Sequence, residues 1–401
     1  MKDLDFYLSE MSVSDATGGG LTLLRILGSD VDAIPLFAHV HPYGHLESDA
    51  RQDTPVESAR ARCLDLPPLW MTQPAARKML GSRPAYWLAQ QPLLRRWHAR
   101  KAAATIMARL PKVTRPLRGL VCPQNATSLY VLERMRQLHP IEYVTWVMDD
   151  HLVRWTNGAW TYPPHTEALF ARHLQQARAV FVISPVMADL YRERFGVESR
   201  VLFGPADAPA PSAMLPQPAA GPLRLAYFGA VDTWQMDALA LVAENLPASG
   251  AALDLYAGLS ELPAELRRPS VRLMGRIPAA QVMATMGQYH AVVLPISFRP
   301  EQRNMSELNI ATKMSECLAS GTVTLAVGPP YAAMIRYLEQ HSAALCVNQP
   351  TDGAMREALT RLGDVNQRRA LADTARTLAT QQLSTAAMHA VWEDGLAQLG
   401  A

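Results

Sequence analysis

Apolar residues fall in short runs, separated by longer stretches in which apolar positions recur at helical spacing. In the first half the runs lie at 4–8, 33–38, 120–122, 143–148 and 180–183, and the helical stretches at 126–137, 165–177 and 185–195. Runs this short and this uniformly apolar suit strands buried on both faces, and strands alternating with helices predict parallel βαβ units. Five prolines between Pro205 and Pro218, in a stretch without periodicity, interrupt the rhythm as a linker would. The alternation then restarts, with strands expected at 223–228, 253–257, 271–274, 291–294, 322–326 and 344–347. Helices are expected at 236–244, 279–287, 312–319 and 332–340, and the pattern from 352 to 399 is helical throughout. The expected fold class is α/β, with two Rossmann-like, doubly wound domains facing a cleft and a helical C-terminal tail. The expected boundaries are 1–205 for the first domain, 206–222 for the linker and 223–380 for the second domain. The helix at 381–401 is expected to pack back on the first domain.

Composition narrows the class. A chain of 401 residues exceeds one ordinary core and suits two domains. The net charge of +2 gives no overall nucleic-acid-like excess. No apolar window reaches the roughly 18 residues that a membrane-spanning helix needs. The first ten residues carry Lys2, Asp3 and Asp5 and do not read as a signal peptide. Four scattered cysteines (Cys63, Cys122, Cys317, Cys346) without C-x-x-C spacing fit a reducing cytoplasm better than a disulfide or zinc framework.

Ligands of open α/β sheets bind outside the carboxyl ends of the strands, so motifs at those ends are the informative ones. The segment 311–326 reads Ala-Thr-Lys-Met-Ser-Glu-Cys-Leu-Ala-Ser-Gly-Thr-Val-Thr-Leu-Ala. Lys313 and Glu316 share one face in the first turns of the expected helix, where free backbone N–H groups and the dipole favour an anion. A cation there suits a pyrophosphate, and a carboxylate one turn deeper can accept hydrogen bonds from ribose hydroxyls. The alternative is an ordinary surface ion pair at i,i+3 spacing.

This segment resembles the K-x-x-E-x-L-A-x-G-x-V motif of GT-B glycosyltransferases, especially retaining family 4, also called group 1. Further pieces resemble that family in order and spacing. They are Leu225-Ala-Tyr-Phe-Gly-Ala230, Leu255-Tyr-Ala-Gly258, Val271-Arg-Leu-Met-Gly-Arg-Ile-Pro278 and Ala291-Val-Val-Leu-Pro295, with 179–188 and 201–205 upstream. The resemblance implies that Glu316 holds the nucleotide ribose and that Thr312 and Lys313 lie near the diphosphate. It implies further that Gly229 lets the backbone approach that diphosphate, and that Gly275, Arg276 and Ile277 line the base. The sequence departs from the family in two places. Leu308, beside Glu307, stands where a first glutamate is usual, and 230–235 lacks the usual basic residue, a charge that Arg299 or Arg303 is expected to supply.

In the first domain, Gly18, Gly19 and Gly20 follow the first strand and open a helix. They allow close backbone approach and a dense set of N–H groups, or else form a flexible loop. The spacing is not G-x-G-x-x-G, which argues against a nicotinamide dehydrogenase. The resemblance places such a loop beside the donor diphosphate and the acceptor. Asp149, Asp150 and His151 emerge at the end of a strongly apolar strand. A histidine beside carboxylates can orient hydroxyls or shuttle a proton, and the other reading is helix capping. His39, His41 and His45 could place two imidazoles on one metal, but exposed loop histidines are the commoner case. The resemblance implies no metal and no resident cofactor, with a nucleotide-sugar as donor substrate.

Charge is uneven along the chain. Between Leu66 and Leu132 there is no Asp or Glu, yet eleven cations: Arg77, Lys78, Arg83, Arg95, Arg96, Arg100, Lys101, Arg109, Lys112, Arg115 and Arg118. Trp70, Tyr86, Trp87 and Trp97 are interleaved. The pattern suits an anionic membrane surface, such as the inner face of a cell membrane, or a solvated face; no motif supports nucleic acid. The function the sequence points to is a hexosyltransferase-type glycosyltransferase. It would move a sugar from a nucleotide-sugar to a saccharide or lipid-linked saccharide acceptor, with retention, in polysaccharide or glycolipid assembly. The alternatives are a non-catalytic subunit or scaffold of the same shape and a sugar-nucleotide epimerase.

Overall fold

The computed structural model describes residues 4–15, 17–40, 55–66, 92–163, 165–209 and 222–400. The chain divides into two compact units, Met1–Leu202 with His389–Ala401, and Phe203–Met388.

The first unit is built on a seven-stranded sheet. Its strands are β1 (Phe6–Ser9), β2 (Phe37–Val40), β3 (Cys63–Leu66), β4 (Leu117–Cys122), β5 (Ile141–Val147), β8 (Ala179–Val182) and β9 (Arg200–Val201), in the order β3-β2-β1-β4-β5-β8-β9. Every pairing is parallel. The helices include α1 (Gly18–Leu27), α2 (Glu57–Arg60), α3 (Pro92–Arg109), α4 (Ala126–Leu138), α5 (Thr166–Gln176) and α6 (Pro185–Phe195). With helices over both faces the central strands are largely apolar; β1 and β8 are buried at every position. A small antiparallel hairpin, β6 (Arg154–Thr156) and β7 (Ala159–Thr161), follows β5.

The second unit carries a six-stranded parallel sheet in the order β12-β11-β10-β13-β14-β15. Its strands are β10 (Arg224–Phe228), β11 (Ala252–Tyr256), β12 (Val271–Leu273), β13 (Ala291–Pro295), β14 (Val323–Val327) and β15 (Leu345–Val347). Around it lie α7 (Met236–Ser249), α8 (Ala279–Met286), α9 (Arg303–Leu308), α10 (Met314–Ala319), α11 (Ala333–Gln340), α12 (Asp352–Leu362) and α13 (Val365–Leu378). One core cluster joins one face of β10, β11 and β14 to α7 and α12 through Leu225, Tyr227, Leu239, Leu253, Leu325 and Leu359.

The tail is broken rather than continuous. Asp364 caps α13 through its side chain, a π-helical turn spans Ala379–Leu383, and α14 (Thr385–Leu396) follows. From His389 onward α14 belongs to the first unit. Its buried Trp392 meets Phe181 at 5.2 Å and Trp146 at 6.5 Å between ring centroids. In several places the strands differ from expectation, the short β9 among them. The run expected at 33–38 is a 3-10 turn (Gly28–Ala33) followed by β2, because Pro35 cannot donate to a ladder. The edge strand β3 and the hairpin β6–β7 carry too little apolar periodicity to be read from it.

Candidate functional site

In the second unit the carboxyl end of β10 meets the start of α10. Lys313 sits immediately before that helix, and its ammonium is turned onto the end of β10. It donates to the Phe228 carbonyl at 2.8 Å and to the Tyr227 hydroxyl at 3.0 Å, 4.4 Å over the Tyr227 ring. The Tyr227 hydroxyl in turn donates to the Ala230 carbonyl. Gly229 has φ +131, and a Cβ there would lie 2.3 Å from the ammonium nitrogen. Both the backbone conformation and the seat of Lys313 therefore demand glycine. Two residues that lie far apart in sequence are thus one construction. An ammonium carries three donors, and described residues take two. Glu316 is half-buried in the first turn of α10, and Thr312 is half-buried just before it.

The remaining residues of this unit are distributed around the strand ends of the same sheet. The Arg276 guanidinium lies across Gly258, with its Nε 2.2 Å from where a Cβ would sit. Gly275 has φ +77 with open space around it, so glycine is there for conformation alone. Ile277 is half-buried. Of the two arginines expected to supply the absent basic charge, Arg303 is bonded to Glu307 and stacks 4.5 Å over Tyr331, whereas Arg299 is exposed. The buried Leu308 explains the departure from the two-glutamate pattern: Glu307, one residue earlier, is spent on Arg303. Sequence reasoning missed Asp237. Its carboxylate accepts from the Phe298 amide at 2.8 Å, and the Ser297 amide donates to the Trp234 carbonyl at 2.8 Å. These bonds tie the loop after β10 to the loop after β13. An acidic residue in a first helical turn was the available signal.

In the first unit the glycines form the first turn of α1, capped by Thr17, whose hydroxyl accepts from the Gly20 amide at 3.1 Å. A Cβ on Gly20 would lie 2.0 Å from the Ser14 carbonyl oxygen, and one on Gly19 would lie 2.6 Å from the Met11 sulfur and 3.7 Å from that of Met148. Gly18 is exposed at the helix start. Gly19 and Gly20 thus pack closely, and the Met148 contact brings their turn beside the one carrying Asp149, Asp150 and His151.

Within that turn the two carboxylates have separate fates. Asp150 is buried and accepts four hydrogen bonds: from the Leu152 amide (3.0 Å), the Val153 amide (3.1 Å), the Tyr162 hydroxyl (2.9 Å) and the Tyr191 hydroxyl (2.9 Å). Burial raises its carboxyl, and those four donors oppose the rise. Asp150 thus holds its own turn in shape, but no helix starts there, so the expected capping of a helix is not what it does: residues 150–153 lead into the strand β6. No described residue donates to the Asp149 carboxyl; burial, with the Asp150 charge adding to it, pushes it up to about 7. His151 is half-buried, with its amide donating to the Asp149 carbonyl at 3.1 Å and its carbonyl accepting from Arg154 at 2.6 Å. A second buried acid, Glu10, was not foreseen. It closes the start of α4 by accepting from the Gln124 amide at 2.9 Å and the Ser128 amide at 2.7 Å.

His39, at the end of β2, has its Nδ1 3.0 Å from Asp65 and its Nε2 3.1 Å from the Glu10 carbonyl, so both ring nitrogens are engaged. His41 and His45 lie outside the described residues.

No protein-family model matches the chain, and no curated protein sequence matches it. Solved structures match it over its whole length. Anabaena HepE in complex with UDP and glucose is similar with a TM-score of 0.62 and 14% identity, covering 98% of this chain and 99% of that one. A glycosyltransferase from Rickettsia africae gives a TM-score of 0.63 at 10% identity, covering 100% of both chains. Sucrose-phosphate synthase from Thermosynechococcus elongatus gives 0.64 at 16%, covering 99% and 96%. At these identities the likeness is one of fold: two parallel-sheet α/β domains of the GT-B type with a helical tail.

Proposed function

We propose that the chain transfers a hexose from a nucleotide-sugar to a hydroxyl acceptor, with retention of anomeric configuration, in polysaccharide or glycolipid assembly. The observation that carries this reading is Lys313, held at the end of β10 by Phe228 and Tyr227 with one donor not taken by a described residue. A fixed ammonium at a strand's carboxyl end is where a diphosphate binds in a doubly wound domain. Breaking the glycosidic bond leaves negative charge on the departing diphosphate, and a cation already in place stabilises that charge without reorganising. Arg299 supplies the second positive charge, because Arg303 is spent on Glu307. Glu316 accepts from the ribose hydroxyls, and Gly275, Arg276 and Ile277 border the base. HepE, of the same fold, is described with UDP and with UDP-glucose, which supports a nucleotide-sugar as donor here.

On the acceptor side, Asp149 is the working carboxyl and Asp150 holds its turn in shape. A group poised near neutrality can accept a hydrogen bond from an attacking hydroxyl in one protonation state and donate one in the other. The experiment is turnover against a panel of UDP-, GDP-, ADP- and TDP-hexoses with saccharide and lipid-linked acceptors. Nucleoside diphosphate release should depend on the acceptor, and kcat/KM should fall about a hundredfold or more in Lys313→Met, the usual loss for one preorganised charge stabiliser. Consumption of a nucleotide-sugar without any acceptor would favour epimerisation instead. Binding without turnover of any donor would favour a non-catalytic subunit.

A further inference from the structure

We propose that the exposed face of α3 seats the protein on an anionic lipid surface. The inference is independent of glycosyl transfer. It rests on how one helix sorts its side chains.

The buried face of α3 carries Arg95, His98, Ala99, Ala102, Ala103 and Ile106, and small residues let it lie close against α4. The opposite face carries Leu93, Arg96, Trp97, Arg100 and Lys101, all exposed, at spacings of three and four that make one stripe. The cation tract of the sequence is thereby reduced and concentrated. Arg95, counted there with the surface charges, is buried, and Arg115 is bonded to Asp5 at 2.7 and 2.8 Å. Arg77, Lys78 and Arg83 lie outside the described residues, as do Trp70, Tyr86 and Trp87. What the stripe presents is Arg96, Arg100 and Lys101, with which no described carboxylate pairs; Arg109, exposed at the end of α3, lies off it.

Two further observations select lipid. The N-terminal end of the stripe is apolar: Leu93 is 78% exposed and Trp97 44%, the latter 4.5 Å beneath the Lys101 ammonium. An exposed leucine gains nothing from a phosphodiester backbone, whereas a leucine and a tryptophan side by side suit the boundary between headgroups and acyl chains. Beside the stripe, a cleft of about 320 Å³ between α3 and α4 is lined by Arg96, Arg100, Arg134 and Tyr130. Its one acid, Glu133, is bonded to Arg172 at 3.0 Å. Guanidinium groups around a small cleft fit a headgroup phosphate. Each basic side chain near such a surface multiplies partitioning roughly fivefold, so the three of the stripe together carry about a hundredfold.

The test is co-sedimentation of the full chain with vesicles of phosphatidylcholine alone or mixed with phosphatidylserine, without donor or acceptor, so that its result does not depend on turnover. Binding should require phosphatidylserine and be lost near 1 M salt, where the screening length falls to about 3 Å. R96Q/R100Q/K101Q should lower partitioning about a hundredfold. L93S/W97S should lower it severalfold while keeping the salt dependence. All five side chains are exposed, so melting temperatures should match wild type. Should either combined variant unfold, Lys101→Glu alone should still cost fivefold or more. Equal binding to both vesicle types, or unchanged binding by a folded charge variant, would overturn the proposal. Tighter binding per phosphate to a single-stranded oligonucleotide than to the vesicles would overturn it in favour of nucleic acid.

Discussion

Gly229 and Lys313 compete for the same space, and that competition makes them testable as a unit. A methyl group at Gly229 would lie 2.3 Å from the Lys313 ammonium, on a backbone at φ +131 that other residues avoid. Gly229→Ala should therefore expel the lysine and strain the turn. Nucleotide affinity should fall tenfold or more, with a stability loss of about 1–3 kcal/mol. Calorimetric titration and urea unfolding read the two effects. The carboxylates at 149 and 150 should separate in the same way. Asp150→Asn places an amide against donors and should cost about 1–3 kcal/mol. Asp149→Asn should behave differently. With its folded carboxyl near 7 against the usual 3.8, Asp149 keeps a proton between those values that the unfolded chain has released. Its contribution to stability is therefore present below pH 4, is lost as pH rises from 4 to 7, and is flat above. Unfolding at pH 5 and pH 8 should show that decline in wild type and not in Asp149→Asn, with the variant the more stable of the two at pH 8. A decline of equal size in both would remove Asp149 as its source.

At the scale of elements, strands and helices were legible wherever burial on both faces produced unbroken apolar runs. The six strands of the second sheet lie within a residue or two of expectation, and α6 matches to the residue. What was not legible lay where tertiary contact outweighs pattern. The hairpin β6–β7 is held by Trp155 against Trp160 at 4.9 Å, across an Asn157-Gly158 turn with φ +51 and +78. That Asn-Gly pair was a hairpin signal present in the sequence and unused. The glycines at 18–20 suggested a phosphate loop; that Gly19 and Gly20 also pack closely against Met11 and Ser14 is something no linear pattern reveals. Likewise, the residue types at 149 and 150 are identical, and what tells them apart is the donors on Asp150, two of them tyrosines brought from 162 and 191. The tail offers a test at this scale. Trp392 is buried against Phe181 and Trp146, so Trp392→Ala should cost about 3–5 kcal/mol. Chemical denaturation followed by circular dichroism measures it, and a loss below 1 kcal/mol would mean that α14 does not pack this way in solution.

At the scale of the whole molecule, each unit places its distinctive groups at the carboxyl ends of its strands: Lys313, Gly229 and Arg276 in one, Asp149 in the other. Their division of labour, donor in the second unit and acceptor in the first, follows from the proposed transfer. The basic stripe on α3 would hold the first unit against a membrane where a lipid-linked acceptor resides. All of this depends on the second unit binding a nucleotide through Lys313. The most direct measurement is isothermal titration of the full chain with nucleoside diphosphates and their hexose conjugates, comparing wild type with Lys313→Met and Glu316→Ala at matched melting temperature. Wild type should bind at least one diphosphate, Lys313→Met should lose affinity for the diphosphate far more than for the corresponding nucleoside, and Glu316→Ala should weaken both. Equal affinity of all three proteins for the best ligand, or no binding to any nucleotide, would contradict the assignment.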